Sequence, residues 1–263
     1  MAKNKELDML NGALLPKILM FSLPLALTGI LQLLFNAADV IVVGKFAGST
    51  SLAAVGATSA LVNLLTGAFI GISVGVNILV ARYAGCRDDV RVGRAVHSAI
   101  ALSLVLGVVT FLLGFFLSTP MLEWMDTPDD VLALASLYLR IYFIGIPGAL
   151  IYNFAAAILR AYGDTKRPLI FLAISGVLNV FLNLFFVIVC ELDVAGVAIA
   201  TVVSQYVAVV LILICLVRQE GPAKLKLREI RLHPDEVRRM IQIGLPAGLQ
   251  SVVFNISNVM IQS

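Results

Sequence analysis

Apolar residues dominate this chain in long blocks, and seven runs stand out: 18–38, 46–81, 95–122, 131–159, 168–190, 194–217 and 240–263. The second is broken near its start by the turn-like A-G-S-T-S at 47–51, and the fourth holds one charge, Arg140. A helix needs about 20 residues to cross a hydrocarbon core of about 30 Å, and every run reaches that length. Barrel strands of about ten residues do not fit runs this long, and backbone groups in lipid must be satisfied internally. The pattern therefore predicts an all-α polytopic membrane protein: a six-helix transmembrane bundle followed by a seventh helix that the chain end truncates. The predicted division is a lobe over 1–218, a cytoplasmic linker over 219–239 and a first helix of a further unit over 240–263.

Polar residues inside the runs keep helical spacing. Thr28, Gln32, Asn36 and Asp39 recur at steps of four, four and three, on one face of the first helix. The second helix carries a stripe of Ser59, Asn63, Thr66, Ser73 and Asn77; the fourth aligns Tyr138, Tyr142, Gly145, Ala149 and Tyr152. Ser175, Asn179 and Asn183 lie four apart on the fifth, and Thr201 and Gln205 four apart on the sixth. The third helix offers only Ser103 and Thr110, so it is expected to be the most lipid-exposed. Gly67, Gly71 and Gly75 form a small-residue face suited to close helix packing. Pro24, Pro147 and Pro246 lie inside helical runs, where membrane helices tolerate proline and can bend at it.

Composition agrees with the pattern: 60% hydrophobic, 13% charged and a mean hydropathy of +1.00. A soluble domain carries about 25% charged residues. The distribution of charge matters more than its net value of +3. All but two of the 19 lysines and arginines fall on alternate connections, the exceptions being Lys45 and Arg140. The positive-inside rule then puts the N-terminal segment (Lys3, Lys5, Lys17) and the loops after helices two, four and six in the cytoplasm. His97 and His233 lie near that side, and H-P-D-E at 233–236 resembles a helix start, with proline in the first turn and acids at the positive dipole end. The linker's basic face suits contact with anionic lipid, but a solvated linker is the expectation. Cys86, Cys190 and Cys215 have no redox or metal spacing, and the first run has no cleavage site. Aligning Pro24 with Pro246 also aligns Asn36 with Asn258, which suggests an internal repeat and a second bundle beyond Ser263.

Depth brings the polar residues together. Asp39 and Asn183 lie near the outer ends of rising helices, and Tyr138 and Thr201 near the starts of descending ones. At about 1.5 Å per residue these groups sit roughly 6–11 Å below the outer interface. A carboxylate among amide and hydroxyl oxygens suits a proton relay or a small hard cation such as Na⁺. Any single Asn, Ser or Thr here also fits a role as interhelical glue, at about 0.6 kcal/mol; a buried charge does not need that role. Arg140 lies at a similar depth, and snorkelling or a separate hydrogen-bonded role is expected over pairing with Asp39.

The segments F-N-A-A-D-V-I-V-V-G, S-L-A-A-V-G-A-T-S, G-I-S-V-G-V-N-I-L-V-A-R-Y-A-G and A-A-A-I-L-R-A-Y-G-D-T-K-R-P-L together resemble the multidrug and toxic compound extrusion (MATE) family. The likeness spans essentially the whole chain and is closer to the bacterial DinF-like branch than to the NorM or eukaryotic branches. It implies one lobe of a two-lobe, twelve-helix antiporter in the bacterial plasma membrane, exporting drugs or toxins in exchange for H⁺ or Na⁺. Asp39 matches the family's coupling aspartate; Asn179, Asn183, Thr201 and Tyr138 match its cation-coupling partners. Asn183 stands where better-known members have aspartate, which leaves one carboxylate and favours H⁺ over Na⁺. Gln32, Asn36, Asn63, Tyr142 and Gln205 are the expected substrate-cleft residues. No cofactor and no nucleic-acid partner is expected; membrane lipid and the second lobe are. A lipid-linked oligosaccharide flippase is the alternative, and would require a cationic cleft to which only Arg140 contributes. A membrane enzyme or scaffold finds no nucleophile constellation, metal cluster or phosphate loop.

Overall fold

A computed structural model describes the backbone of residues 14–262 and the side chains of residues 15–253. Lys3, Lys5 and the Asn258 side chain of the suggested repeat lie outside those described residues. The helices are α1 (Leu14–Val42), α2 (Ser49–Gly85), α3 (Asp89–Glu123), α4 (Asp129–Ala161), α5 (Lys166–Leu184), α6 (Asp193–Arg218) and α7 (Pro234–Gln262), with no strand among the described residues. Six are long and apolar enough to cross a membrane. The protein is a multi-pass helical membrane protein with one six-helix lobe and a seventh helix, as the apolar runs predict.

Two helices end in a single π-helical turn: Val43–Ala47 after α1 and Phe185–Val189 after α5. Such turns recur at functional positions, and both follow closely on the polar residues Asp39 and Asn183. Gly48 alone joins α1 to α2, with φ of +89°, a conformation that a side chain would strain. The A-G-S-T-S segment is thus a one-residue hinge, and its serines and threonine already belong to α2.

The core runs along α4, which packs on α2, α3 and α6. Leu139, Phe143, Leu150, Phe154, Ile158 and Leu159 on this helix are almost fully enclosed. Tyr152 donates through its hydroxyl to the Pro168 carbonyl at 2.7 Å, tying α4 to the start of α5. Asn77 donates to Ala157 O at 3.0 Å, so this member of the α2 stripe is interhelical glue. Ser59, Ser73, Ser103 and Ser175 return their hydroxyls to carbonyls of their own helices. The expectation that α3 is the most exposed helix is wrong. A third (33%) of its apolar stretch is buried, against 11% for α1, because α3 lies along α4 whereas α1 rests mainly on α5.

The connection from α6 to α7 is not simply solvated, contrary to expectation. Ala223 and Leu225 are buried, and Leu225 donates its N–H back to Leu216 O at 3.1 Å. Helix α7 begins at Pro234, as H-P-D-E suggests, several residues inside the stretch read as linker. Two histidines clamp the strap. The Lys226 N–H donates to His97 Nε2 at 3.1 Å, leaving His97 Nδ1–H to donate to Gly93 O. His233 Nε2 accepts from Arg231 Nε at 3.1 Å, and Ser98 Oγ accepts the His233 backbone N–H at 3.0 Å. Both rings serve in their neutral form.

Partial burial, with Arg231 and Arg94 nearby, holds the His233 imidazole below its usual range; Glu236 opposes this and His97 reinforces it. A folded value below the unfolded one means the neutral ring's contribution is complete above about pH 6.5 and is lost as pH falls through the folded value. Amide hydrogen exchange over 224–236 is therefore expected to accelerate as pH drops below about 6.5, after correction for intrinsic rates. His233→Gln is expected to flatten that dependence; an unchanged profile in the variant would refute the clamp.

Candidate functional site

The site forms where α1, α5, α6 and α4 meet near the π-helical turns. Helix α1 approaches α5 closely because residue 176 is glycine: a Cβ there would lie 1.9 Å from Cε2 of the Phe35 ring. That contact is one turn from Asn179 and Asp39, so it sets the spacing of the two helices at the polar cluster. Asn183 is fully buried and donates through Nδ2 to Asp39 Oδ1. The Thr201 hydroxyl lies beside the Asp39 carboxyl. Asn179 Nδ2 donates to Thr201 Oγ1 at 3.3 Å, while Thr201 Oγ1 also lies 3.0 Å from its own-helix acceptor Val197 O.

Three of the predicted partners, Asn179, Asn183 and Thr201, are thus joined to Asp39 in one network. The Asn183 Oδ1 atom is buried and accepts no hydrogen bond among the described residues. A buried amide oxygen without a donor carries a desolvation cost of about 1–3 kcal/mol.

Tyr138 and Tyr142 form a second tier on α4, with rings stacked at 6.1 Å and 24° between planes. Both lie within electrostatic range of Asp39, though neither hydrogen-bonds to it. Tyr142 lies beside Thr66 on α2 and Gln205 on α6. Gln205 seats against Gly145, where a Cβ would come within 2.6 Å of its Oε1. Thr66 is a member of this tier that the sequence reading left on the α2 stripe, because periodicity gives a face and not a partner.

Other expected residues stand apart. Thr28 back-bonds to Pro24 O at 2.8 Å and is satisfied within α1. Gln32 and Asn36 are exposed on α1, and Asn63 is exposed on α2. Arg140 does not pair with Asp39. It donates from Nε to Ser118 Oγ and from Nη2 to Thr119 Oγ1, each at 3.1 Å, which is the separate hydrogen-bonded role. Among the described residues no group of three or more His, Cys, Asp or Glu side chains gathers in metal-ligating range.

An enclosed carboxyl network inside a six-helix lobe defines a polytopic membrane protein with a polar site at the helix interfaces. The MatE family model matches residues 24–185, and the chain belongs to that family. It is 32% identical over 252 residues to the probable multidrug resistance protein YpnP of Bacillus subtilis strain 168, covering 95% of this chain and 56% of YpnP. The multidrug export protein MepA of Staphylococcus saprophyticus is 22% identical over 241 residues, covering 92% of this chain and 53% of MepA. A crystal structure of MATE in the bent conformation superimposes with a TM-score of 0.89 at 27% identity, covering 98% of this chain and 57% of that one. The chain spans about half the length of the curated relatives it matches.

Proposed function

We propose that this lobe, working with a second lobe of similar size in a bacterial plasma membrane, drives efflux of small organic compounds, often cationic, in exchange for H⁺ or Na⁺. Asp39 is the coupling carboxylate in this reading, with Asn179, Asn183, Thr201 and Tyr138 as its partners. Gln32, Asn36, Asn63, Tyr142 and Gln205 line the route of the transported compound. The relatives named for multidrug resistance and multidrug export support the substrate class.

The observation that carries the reading is the Asp39 network. Asn183 donates to one carboxyl oxygen, while the Thr201 hydroxyl has two acceptors within reach, Asp39 and Val197 O. A hydroxyl has one proton to give. With Asp39 ionised, Thr201 donates to the carboxylate; with Asp39 protonated, the carboxyl donates to Thr201 Oγ1 and the hydroxyl turns to Val197 O. Both states are hydrogen-bonded without moving a helix axis far, as a carrier that loads and unloads a proton requires. A carboxylate costs about 2.5–3.5 kcal/mol at a helix centre, which bounds from above the cost at Asp39, nearer the end of α1. Protonation removes that cost and lets α1 shift relative to α5 across the Gly176–Phe35 contact.

One carboxylate among amide and hydroxyl oxygens makes a poor Na⁺ cage, since hard cations favour more anionic oxygen ligands. H⁺ is therefore the favoured coupling ion. The flippase alternative lacks support: Arg140, the one cation it called on, is committed to Ser118 and Thr119.

The test uses inverted membrane vesicles containing the protein with its second lobe. An imposed pH gradient, acid inside, is expected to drive uptake of an organic cation such as ethidium, and a Na⁺ gradient at matched pH is not. Uptake that follows Na⁺ alone would overturn H⁺ coupling, and uptake under neither gradient would overturn the antiport reading.

A further inference from the structure

A basic cavity of about 680 Å³ lies where the interlobe strap crosses the start of α3. It is far from the Asp39 network, on the face that the positive-inside rule assigns to the cytoplasm. Arg94, Lys224, Lys226, Arg228 and Arg231 line it, against two carboxylates, Asp89 and Glu229. The cations divide by what they already do. Lys226 is paired with Glu229 at 3.0 Å, and Arg231 donates to His233. Arg94, Lys224 and Arg228 have no side-chain ion pair or hydrogen bond among the described residues. Three like charges are thus held around one concavity by a strap that the two histidines and Ser98 pin to α3. Such a convergence costs repulsion unless an anion enters.

The apolar neighbours indicate where that anion comes from. Val90, also on the cavity wall, is 66% exposed, and Leu227 and Leu232, interleaved with the cations, are 64% and 46% exposed. Exposed aliphatic side chains alternating with arginines and lysines at the end of a membrane helix fit the headgroup–acyl boundary better than open water. Basic pockets on that side of membrane proteins suit phosphate headgroups.

We propose that the cavity formed by Arg94, Lys224 and Arg228 under the 224–233 strap binds the phosphate headgroup of an anionic phospholipid from the adjacent leaflet. Bound lipid would fasten the strap to α3, coupling membrane composition to the segment that joins the six-helix lobe to α7. The inference stands independently of the coupling ion and of the transported compound.

The test is lipid titration of the purified chain in neutral detergent, followed by native mass spectrometry, with phosphatidylglycerol against phosphatidylcholine. Each juxtamembrane cation contributes about fivefold, so Arg94→Gln/Lys224→Gln/Arg228→Gln is expected to weaken phosphatidylglycerol binding on the order of 100-fold. A control, Arg82→Gln/Arg218→Gln/Arg238→Gln, removes the same charge from the same side and is expected to retain most of the affinity. Equal loss in the control would overturn the site in favour of diffuse attraction. Displacement of the lipid by glycerol phosphate at equal concentration would overturn the lipid assignment in favour of a free phosphate ligand. Should the triple variant lose its helical circular dichroism, Lys224→Glu alone, on an exposed side chain, carries the same expectation in weaker form. Unchanged affinity there would refute the proposal.

Discussion

Asp39→Asn is expected to leave the lobe folded and to abolish gradient-driven efflux. The substitution keeps the size of the side chain and a hydrogen-bonding amide beside Asn183 and Thr201, but it removes the one group in the network that can take up and release a proton. A pH difference of one unit stores about 1.4 kcal/mol per proton, enough for at most about tenfold accumulation of a compound exchanged one for one. The wild-type protein with its second lobe should approach that ratio in inverted vesicles, and the variant should stay at the level of vesicles lacking the protein. Infrared difference spectroscopy adds a readout that a folding defect cannot mimic. The wild type should show a protonated-carboxyl band that appears and disappears with pH, and the variant should lack it. Accumulation by Asp39→Asn equal to wild type would end the case for this carboxylate.

Gly75→Val is expected to detach α7 from the lobe. A Cβ at residue 75 would lie 2.2 Å from Met240 O and 2.7 Å from Gly244 N, and one at residue 71 would lie 2.1 Å from Gly248 Cα. These neighbours are backbone atoms, which cannot swing aside as a side chain can. Overpacking of this kind costs about 1–3 kcal/mol, and the larger figure applies where backbones meet. The packing role expected of the glycine face thus holds at Gly71 and Gly75, and the complementary small residues are Gly244 and Gly248 on α7. Tyr83 adds a polar anchor at the start of α7, donating to Glu236 Oε2 and accepting from Arg239, each at 2.7 Å. Since about 1.4 kcal/mol is a factor of ten, exchange of amides in 240–248 should quicken by one to two orders of magnitude in Gly75→Val. Gly56→Val, at a position where a Cβ meets nothing within 4 Å, is the control. Equal protection in Gly75→Val and wild type would show that α7 is held by other contacts.

Much of the site was legible as geometry before any contact was known. A four-residue step on α5 places Asn179 and Asn183 on one face, and counting rise from the helix ends puts Asp39 and Thr201 at their level. That arithmetic works because a membrane helix has little freedom in axis direction, so residue number converts to depth. Rotation about the axis is a different matter. Thr28 shares a face with Asp39 in sequence, yet its hydroxyl is spent on Pro24 O, and Gln32 and Asn36 remain on the open side of α1. Likewise Asn77 bonds to α4 and Thr66 sits beside Tyr142, although both belong to one stripe. A stripe says which side of a helix is polar; only the neighbouring helix says what each position is for.

The exposure of α3 failed as an inference for a related reason. Lack of polar residues signals an apolar environment, and the packed flank of α4 is as apolar as lipid. Hydropathy does not distinguish the two in a membrane, where helices associate by shape and small residues more than by polarity. The strap escaped for the opposite reason. Its lysines, arginines and prolines resemble a solvated linker, while its attachment depends on two apolar side chains and two histidine nitrogens.

The apolar runs, the alternation of basic loops and the spacing of polar residues within helices determined the membrane-spanning all-α class, the number of crossings and the level of the polar site. These follow from the cost of unsatisfied backbone and unpaired charge in hydrocarbon, which local sequence carries almost completely. The tertiary structure decided that Asn183 holds Asp39 with Thr201 beside it, that Arg140 turns to α3, that α7 seats on the glycines of α2, and that the strap folds over a basic cavity. Each depends on helix rotation and close approach between segments far apart in the chain. Those quantities are set by packing across interfaces, which no single helix contains.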